Sequence, residues 1–200
     1  MMQGFVVLFT TRIWQMTAIN LVTIGLALAG LGLFGFAPAL AACLWATRRI
    51  EDETVAQIVP GMWREYRREF LTLNAFALPH YIAFAVIGAL LAMITGIATS
   101  LLLTALVFVA LSLLAGIVVK SCLSGGIADT FVNAKWAMAL APYRLLLSLA
   151  VLPVLILVTA WQPLVGLYFG LSAWAVLISG FVIPGIEAGF PNASEKEALS

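Results

Sequence analysis

Charge is scarce in this chain. Asp, Glu, Lys and Arg together make up 10% of its 200 residues, against 64% hydrophobic ones. A soluble globule carries about 25% charged residues because its surface must face water. This chain cannot coat such a surface, so lipid has to cover most of it. Cysteine is nearly absent as well: Cys43 and Cys122 lie far apart in apolar surroundings, with neither a CxxC pair nor zinc spacing. They read as small hydrophobes in packed helices. Histidine occurs once, at His80. No HExxH, Ser–Lys couple, paired intramembrane carboxylates or phosphate-cradling Gly loop is present. Catalysis needs positioned acids, bases, nucleophiles or metals. The expectation is a protein that is not an enzyme, with no cofactor, no metal site and no nucleic-acid partner. The opening MMQGFVVLFTTR also lacks the basic n-region and small-residue cleavage site of a signal peptide, and reads as a partly ordered or interfacial leader.

What the chain does have is long apolar runs. Residues 13–47, 71–119 and 145–186 contain no Asp, Glu, Lys or Arg. A helix crossing the hydrocarbon core needs about 20 apolar residues, so the second and third runs are each roughly twice the needed length. Each reads as a helical hairpin, turning at MITGIATS around Gly96 and at WQP, residues 161–163, where Gly or Pro punctuates the pattern. Adding the first run gives five spans, near 14–36, 72–95, 99–120, 143–161 and 164–186. Continuous runs of this kind do not show the alternation of a membrane β-barrel. The fold class is therefore all-α: a polytopic membrane helix bundle, one integral domain over 1–200 with a short polar tail at 188–200.

Charge distribution sets the expected orientation. Arg48, Arg49, Arg64, Arg67 and Arg68 lie in the loop 46–70, Lys120, Lys135 and Arg144 in the loop 120–144, and Lys196 in the tail. With five spans these share one face, and Arg12 sits on the other. The positive-inside bias then puts the N-terminus outside and the C-terminus in the cytoplasm of a cell-membrane protein.

The two cytoplasmic loops are expected to be amphipathic. In VPGMWREYRREFLTLN, Pro60 suits the first turn of a helix. Met62, Tyr66, Phe70 and Leu73 share one of its faces, and Arg64, Glu65, Arg67, Arg68 and Glu69 fill the others. Such a segment lies in the headgroup layer or starts the second span, with its arginines on lipid phosphates or on a docked partner. Leu123, Ile127, Phe131, Ala134 and Met138 form a second stripe, joined to the third span by SGG at 124–126. His80 is the intramembrane titratable group. It reads either as a functional site or as a neutral ring bonded to a neighbouring helix. Gln15, Asn20, Asn74 and Gln162 read as polar glue between helices. The first run raises its own question: residues 16–47 as one straight helix would reach about 48 Å. Pro38 removes a backbone donor and disfavours a helical Ala37, so the first span is expected to break at 35–38, with PALAACLWATRRI running on as a second helix.

The stretch GLFGFAPALAACLWATRRI, followed by MWREYRREFLTLN, resembles the YesL-like family of bacterial membrane proteins. The residues carrying the likeness are Gly35, Pro38, Ala39, Arg48 and Arg49, then Trp63, Tyr66, Phe70 and Asn74. Phe36 and Ala37 separate Gly35 from Pro38 where a tighter Gly-Pro is common in that family. The resemblance implies an accessory membrane protein encoded beside sugar-importing ABC transporters. It transfers no catalytic or ligand residue. The expected function is an assembly or regulatory subunit of a carbohydrate ABC importer, in contact with its permease subunits and the bilayer. The alternative is a small transporter or channel acting alone or as a homo-oligomer, with His80 and the 35–38 break lining a path.

Overall fold

The computed structural model describes residues 2–123 and 125–189, and among these it contains helices and turns but no strand. The helices are α1 (Met2–Ala29), α2 (Leu33–Thr47), α3 (Val55–Met93), α4 (Ile97–Cys122), α5 (Ile127–Leu140), α6 (Pro142–Trp161), α7 (Pro163–Leu177) and α8 (Ile183–Glu187). A π-helical turn, Ile178–Val182, joins the last two into one rod. Among the described residues, five helical segments are long and apolar enough to cross a membrane: Thr10–Ala29, Val55–Met93, Ile97–Cys122, Pro142–Trp161 and Tyr168–Glu187. The expected all-α membrane bundle with five spans holds, and the turns fall at 94–96 and at Gln162, as Gly96 and Pro163 foretold. Of the expected tail, residues 190–200 lie outside the described residues, as does Ser124 of the SGG joint.

The first apolar run behaves differently from its reading. The stretch read as a leader is helical from Met2 and continuous with the first span in α1. The break comes at 30–32, not at 35–38. There the Leu31 N–H donates to the Leu28 carbonyl at 3.0 Å and the Gly32 N–H to the Ala27 carbonyl at 2.9 Å. These are the two bonds of a Schellman stop, with Leu31 in the left-handed region at φ 59°. Helix α2 then runs unbroken through Pro38. Proline at its sixth position costs only the bond to the Phe34 carbonyl, and the burial of α2 outweighs that loss. Ala37 and every residue from Ala39 to Leu44 are at most 2% exposed. A helix that is apolar on all sides belongs in a core, and its alanines let four neighbouring helices approach closely. From Ala37 onward protein rather than lipid surrounds α2, while its first turn, with Leu33, Phe34 and Phe36, stays exposed.

Helix α2 returns along α1. The Arg12 guanidinium donates to the Ile50 carbonyl, and the Gln15 amide donates to the Glu53 carbonyl at 3.0 Å. Arg12 therefore shares an end with Arg48 and Arg49 instead of facing away from them. The contact that permits the reversal involves glycine: a Cβ at Gly35 would strike the Ala27 carbonyl oxygen, and one at Gly30 the Gly35 backbone.

The amphipathic segment and the second span are one helix, α3. It starts at Val55, five residues before Pro60, with the Thr54 N–H donating to the Gln57 side chain at 2.9 Å in half of a capping box. Its inner face carries Ile58, Met62, Tyr66, Leu73, Phe76 and His80. Helix α5 lies against α3 and α4 through Phe131, whose ring centroid is 4.7 Å from that of Phe76. Away from this core the α3–α4 and α6–α7 hairpins splay as two apolar arms. Met93 and Ile97 at the tip of one are above 80% exposed, and Trp161 at the tip of the other is 80% exposed. Between the arms, over the start of α2, lies a cleft of about 500 Å³ lined by Leu33, Phe36, Phe84, Leu114, Leu152 and Trp174, with Tyr81 also on its wall.

Candidate functional site

The charged residues gather at the end of the bundle where α1 begins and α2, α4 and α8 finish. Lys120, in the last turn of α4, points inward to α3, and its Nζ stands 2.9 Å from Glu69 Oε2. The same ammonium donates to the Gly125 carbonyl, fixing the joint that leads into α5. Arg68 completes the cluster, with Nη2 2.7 Å from Glu65 Oε1 and Nε 3.0 Å from Glu69 Oε1. Glu65, Glu69 and Lys120 are buried, while Arg68 reaches solvent. The sequence reading left both acids on the polar faces of this segment. They are instead on its inner face, because Lys120 supplies the charge and hydrogen bonds that a buried carboxylate requires.

Arg48 makes the second junction: Nη2 lies 3.0 Å from Glu187 Oε1 and Nη1 donates to the Ser121 carbonyl at 3.2 Å. It thereby ties α2, α4 and α8 together. Arg49 pairs with Glu53 at 3.5 Å and sits 4.3 Å over the Trp45 ring. The indole of Trp45 in turn covers Gly61, where a Cβ would collide with it.

On the outside of α3 the picture reverses. Trp63, Arg64 and Arg67 are exposed, and among the described residues no carboxylate pairs with either arginine. Arg67 Cζ lies 5.9 Å from the Trp63 ring, which stacks at 5.9 Å and 13° on Tyr66. Tyr66 is buried, with its hydroxyl directed at Gly30, and Phe70 packs on it at 5.4 Å. Asn74 donates to the Phe70 carbonyl at 2.8 Å. One continuous aromatic ladder thus links the exposed Trp63 to the α1–α2 turn.

Residues 16–98 match a protein-family model described as Protein of unknown function, DUF624. No curated protein and no solved structure matches the chain. The matched region runs from within α1 through α2 and α3, so it includes the buried helix and the aromatic–basic segment.

The remaining residues singled out in the sequence lie elsewhere. Gly35, Pro38 and Ala39 are interior residues of α2. His80 has both ring nitrogens engaged, Nδ1 with the Phe76 carbonyl at 2.9 Å and Nε2 with Ser112 Oγ at 3.0 Å, under the stacked ring of Phe131. Nδ1–H donates to the Phe76 carbonyl, and Nε2 shares a hydrogen with the Ser112 hydroxyl, so the ring links α3 to α4. Asn20 acts in the same way: its Oδ1 accepts the N–H groups of Leu171 at 2.8 Å and Ser172 at 3.1 Å, anchoring α7 to α1. Lys120 and Glu69 are the pair that sequence reasoning missed. The only available signal was a lysine closing an otherwise apolar run, which reads equally well as a membrane boundary.

Proposed function

We propose that this protein works by association, as an accessory or regulatory subunit in the membrane, without chemistry of its own. The observation that carries this reading is the splay of the two apolar arms, which leaves a lateral cleft at hydrocarbon level. Its walls, from Leu33 and Phe36 to Leu152 and Trp174, suit the apolar side chains of a partner's membrane segment. Interfaces between membrane helices form by such close packing. Two of the polar side chains inside the bundle, His80 and Asn20, are bonded to neighbouring helices. The resemblance to YesL-like proteins supports the permease subunits of a carbohydrate ABC importer as the partner. The positive-inside bias supports a cell-membrane orientation with the end bearing Arg12, Arg48 and Arg64 in the cytoplasm. The α1–α2 hairpin then puts the beginning of α1 on the same side as the end of α8.

The test is affinity purification in mild detergent from the native host. Permease subunits that co-purify with the wild type and are lost from Leu152→Trp or Ala110→Trp, which fill the cleft, support the reading. A protein that is consistently solitary overturns it. The alternative of a stand-alone transporter or channel draws less support, because the cleft is apolar apart from Tyr81 and His80 faces Ser112 instead.

A further inference from the structure

The outward face of α3 is one stripe that changes character within a single turn. At helical spacing it runs Arg64, Arg68, Leu71, Ala75, Leu78, Ile82 and Val86, with Trp63 and Arg67 flanking its first turn. Leu71 is 80% exposed and the apolar part continues to Met93. Residues 71–93 rise about 34 Å at 1.5 Å each, enough to cross a hydrocarbon core of roughly 30 Å. With that part in the core, Arg67 and Arg64 stand about one and two turns beyond its edge, in the headgroup layer, and Trp63 takes the interfacial position its amphipathic ring prefers.

In sequence, WREYRRE looks nearly balanced, with three arginines against two acids. Folding separates the charges. Glu65 and Glu69 turn inward, where Lys120 and Arg68 consume them. Arg64 and Arg67 are left outside, with no carboxylate paired to them among the described residues. We infer that Trp63, Arg64 and Arg67 form a docking surface for the anionic phospholipid headgroups of the adjoining leaflet. Charge complementarity selects the occupant, the apolar stripe sets its depth, and the buried acids ensure that the surface stays positive. Selectivity for anionic over zwitterionic lipid is therefore built into the inward rotation of two glutamates. This inference does not depend on the proposed association with a permease.

Native mass spectrometry of the full-length protein tests it, in detergent with phosphatidylglycerol and phosphatidylcholine of matched chains. Wild type retains phosphatidylglycerol preferentially. Each cationic side chain near an anionic surface contributes about 1 kcal/mol, so R64Q/R67Q lowers that preference roughly 30-fold, about 2 kcal/mol. R64K/R67K keeps it, and added salt weakens it. Both arginines are exposed, and an unchanged Tm of R64Q/R67Q in phosphatidylcholine verifies that the variant is folded. Equal lipid preference in wild type and R64Q/R67Q overturns the inference. So does a rise in Tm with inorganic phosphate that matches the rise with phosphatidylglycerol. A variant that keeps its lipid preference but loses a co-purifying protein also overturns it, and makes the surface a protein dock.

Discussion

Lys120 Nζ lies 2.9 Å from Glu69 Oε2, and both side chains are only 5–6% exposed. The two residues are far apart in the chain, and their pairing locks the end of α4 to the middle of α3. The Gly125 carbonyl accepts a second bond from Lys120, and Arg68 donates to the other Glu69 oxygen. Loss of one partner strands the other charge away from water, which costs about 3–5 kcal/mol. Lys120→Met should therefore lower the Tm sharply, and the double change K120M/E69L should recover most of the loss. A single variant that unfolds no earlier than wild type would show that water reaches the pair.

Two glycines should respond differently to the same added methyl group. At Gly35 the obstacle is the Ala27 backbone, and at Gly61 it is the Trp45 ring. Overpacking typically costs about 1–3 kcal/mol. Gly61→Ala should be destabilising alone and largely rescued by Trp45→Leu, since residues in contact couple. Gly35→Ala has no side chain to trim and should resist rescue by any neighbouring substitution. Thermal unfolding of the four variants in one detergent reads the difference directly.

The extent to which the sequence disclosed the fold follows from where the decisive interactions lie. The α3–α4 and α6–α7 hairpins were legible because Gly96 and Pro163 interrupt runs too long for one crossing. The α1–α2 hairpin was not, since Pro38 is the stronger local signal yet sits harmlessly inside α2. The actual stop uses Leu31 in a conformation that glycine normally supplies. The helical, amphipathic character of 60–73 was legible from its periodicity. The inward turn of Glu65 and Glu69 was not, because a helical wheel assigns carboxylates to water unless a distant cation claims them. His80 was legible as the lone intramembrane imidazole, but its partners Ser112 and Phe131 were not, since both come from other helices.

Asn20 offers a measure of polar glue in this bundle. Its Oδ1 accepts two backbone N–H groups of α7, just before the π-helical turn. Interhelical hydrogen bonds in membranes average about 0.6 kcal/mol and reach roughly 1.7. Asn20→Ala should then cost about 1–2 kcal/mol and speed hydrogen exchange at Leu171 and Ser172 ahead of their neighbours. Uniform exchange along α7 would show that the two amides find other acceptors.

Leu31 predicts a gain in stability. A non-glycine residue in the left-handed region carries a steric penalty of roughly 1–2 kcal/mol, and Leu31 sits there at φ 59° with its side chain 86% exposed. Almost no packing would be lost on truncation. Glycine removes the Cβ clash but adds freedom to the unfolded chain, which offsets part of the gain. Leu31→Gly should therefore raise stability by about 0.5–1 kcal/mol, while Leu31→Val, branched at Cβ, should lower it. Both bonds of the Schellman stop persist in either variant, so the order Gly above Leu above Val in Tm isolates backbone strain as the cause. The reverse order would mean that Leu31 earns its place through lipid contact at the tip of the α1–α2 hairpin.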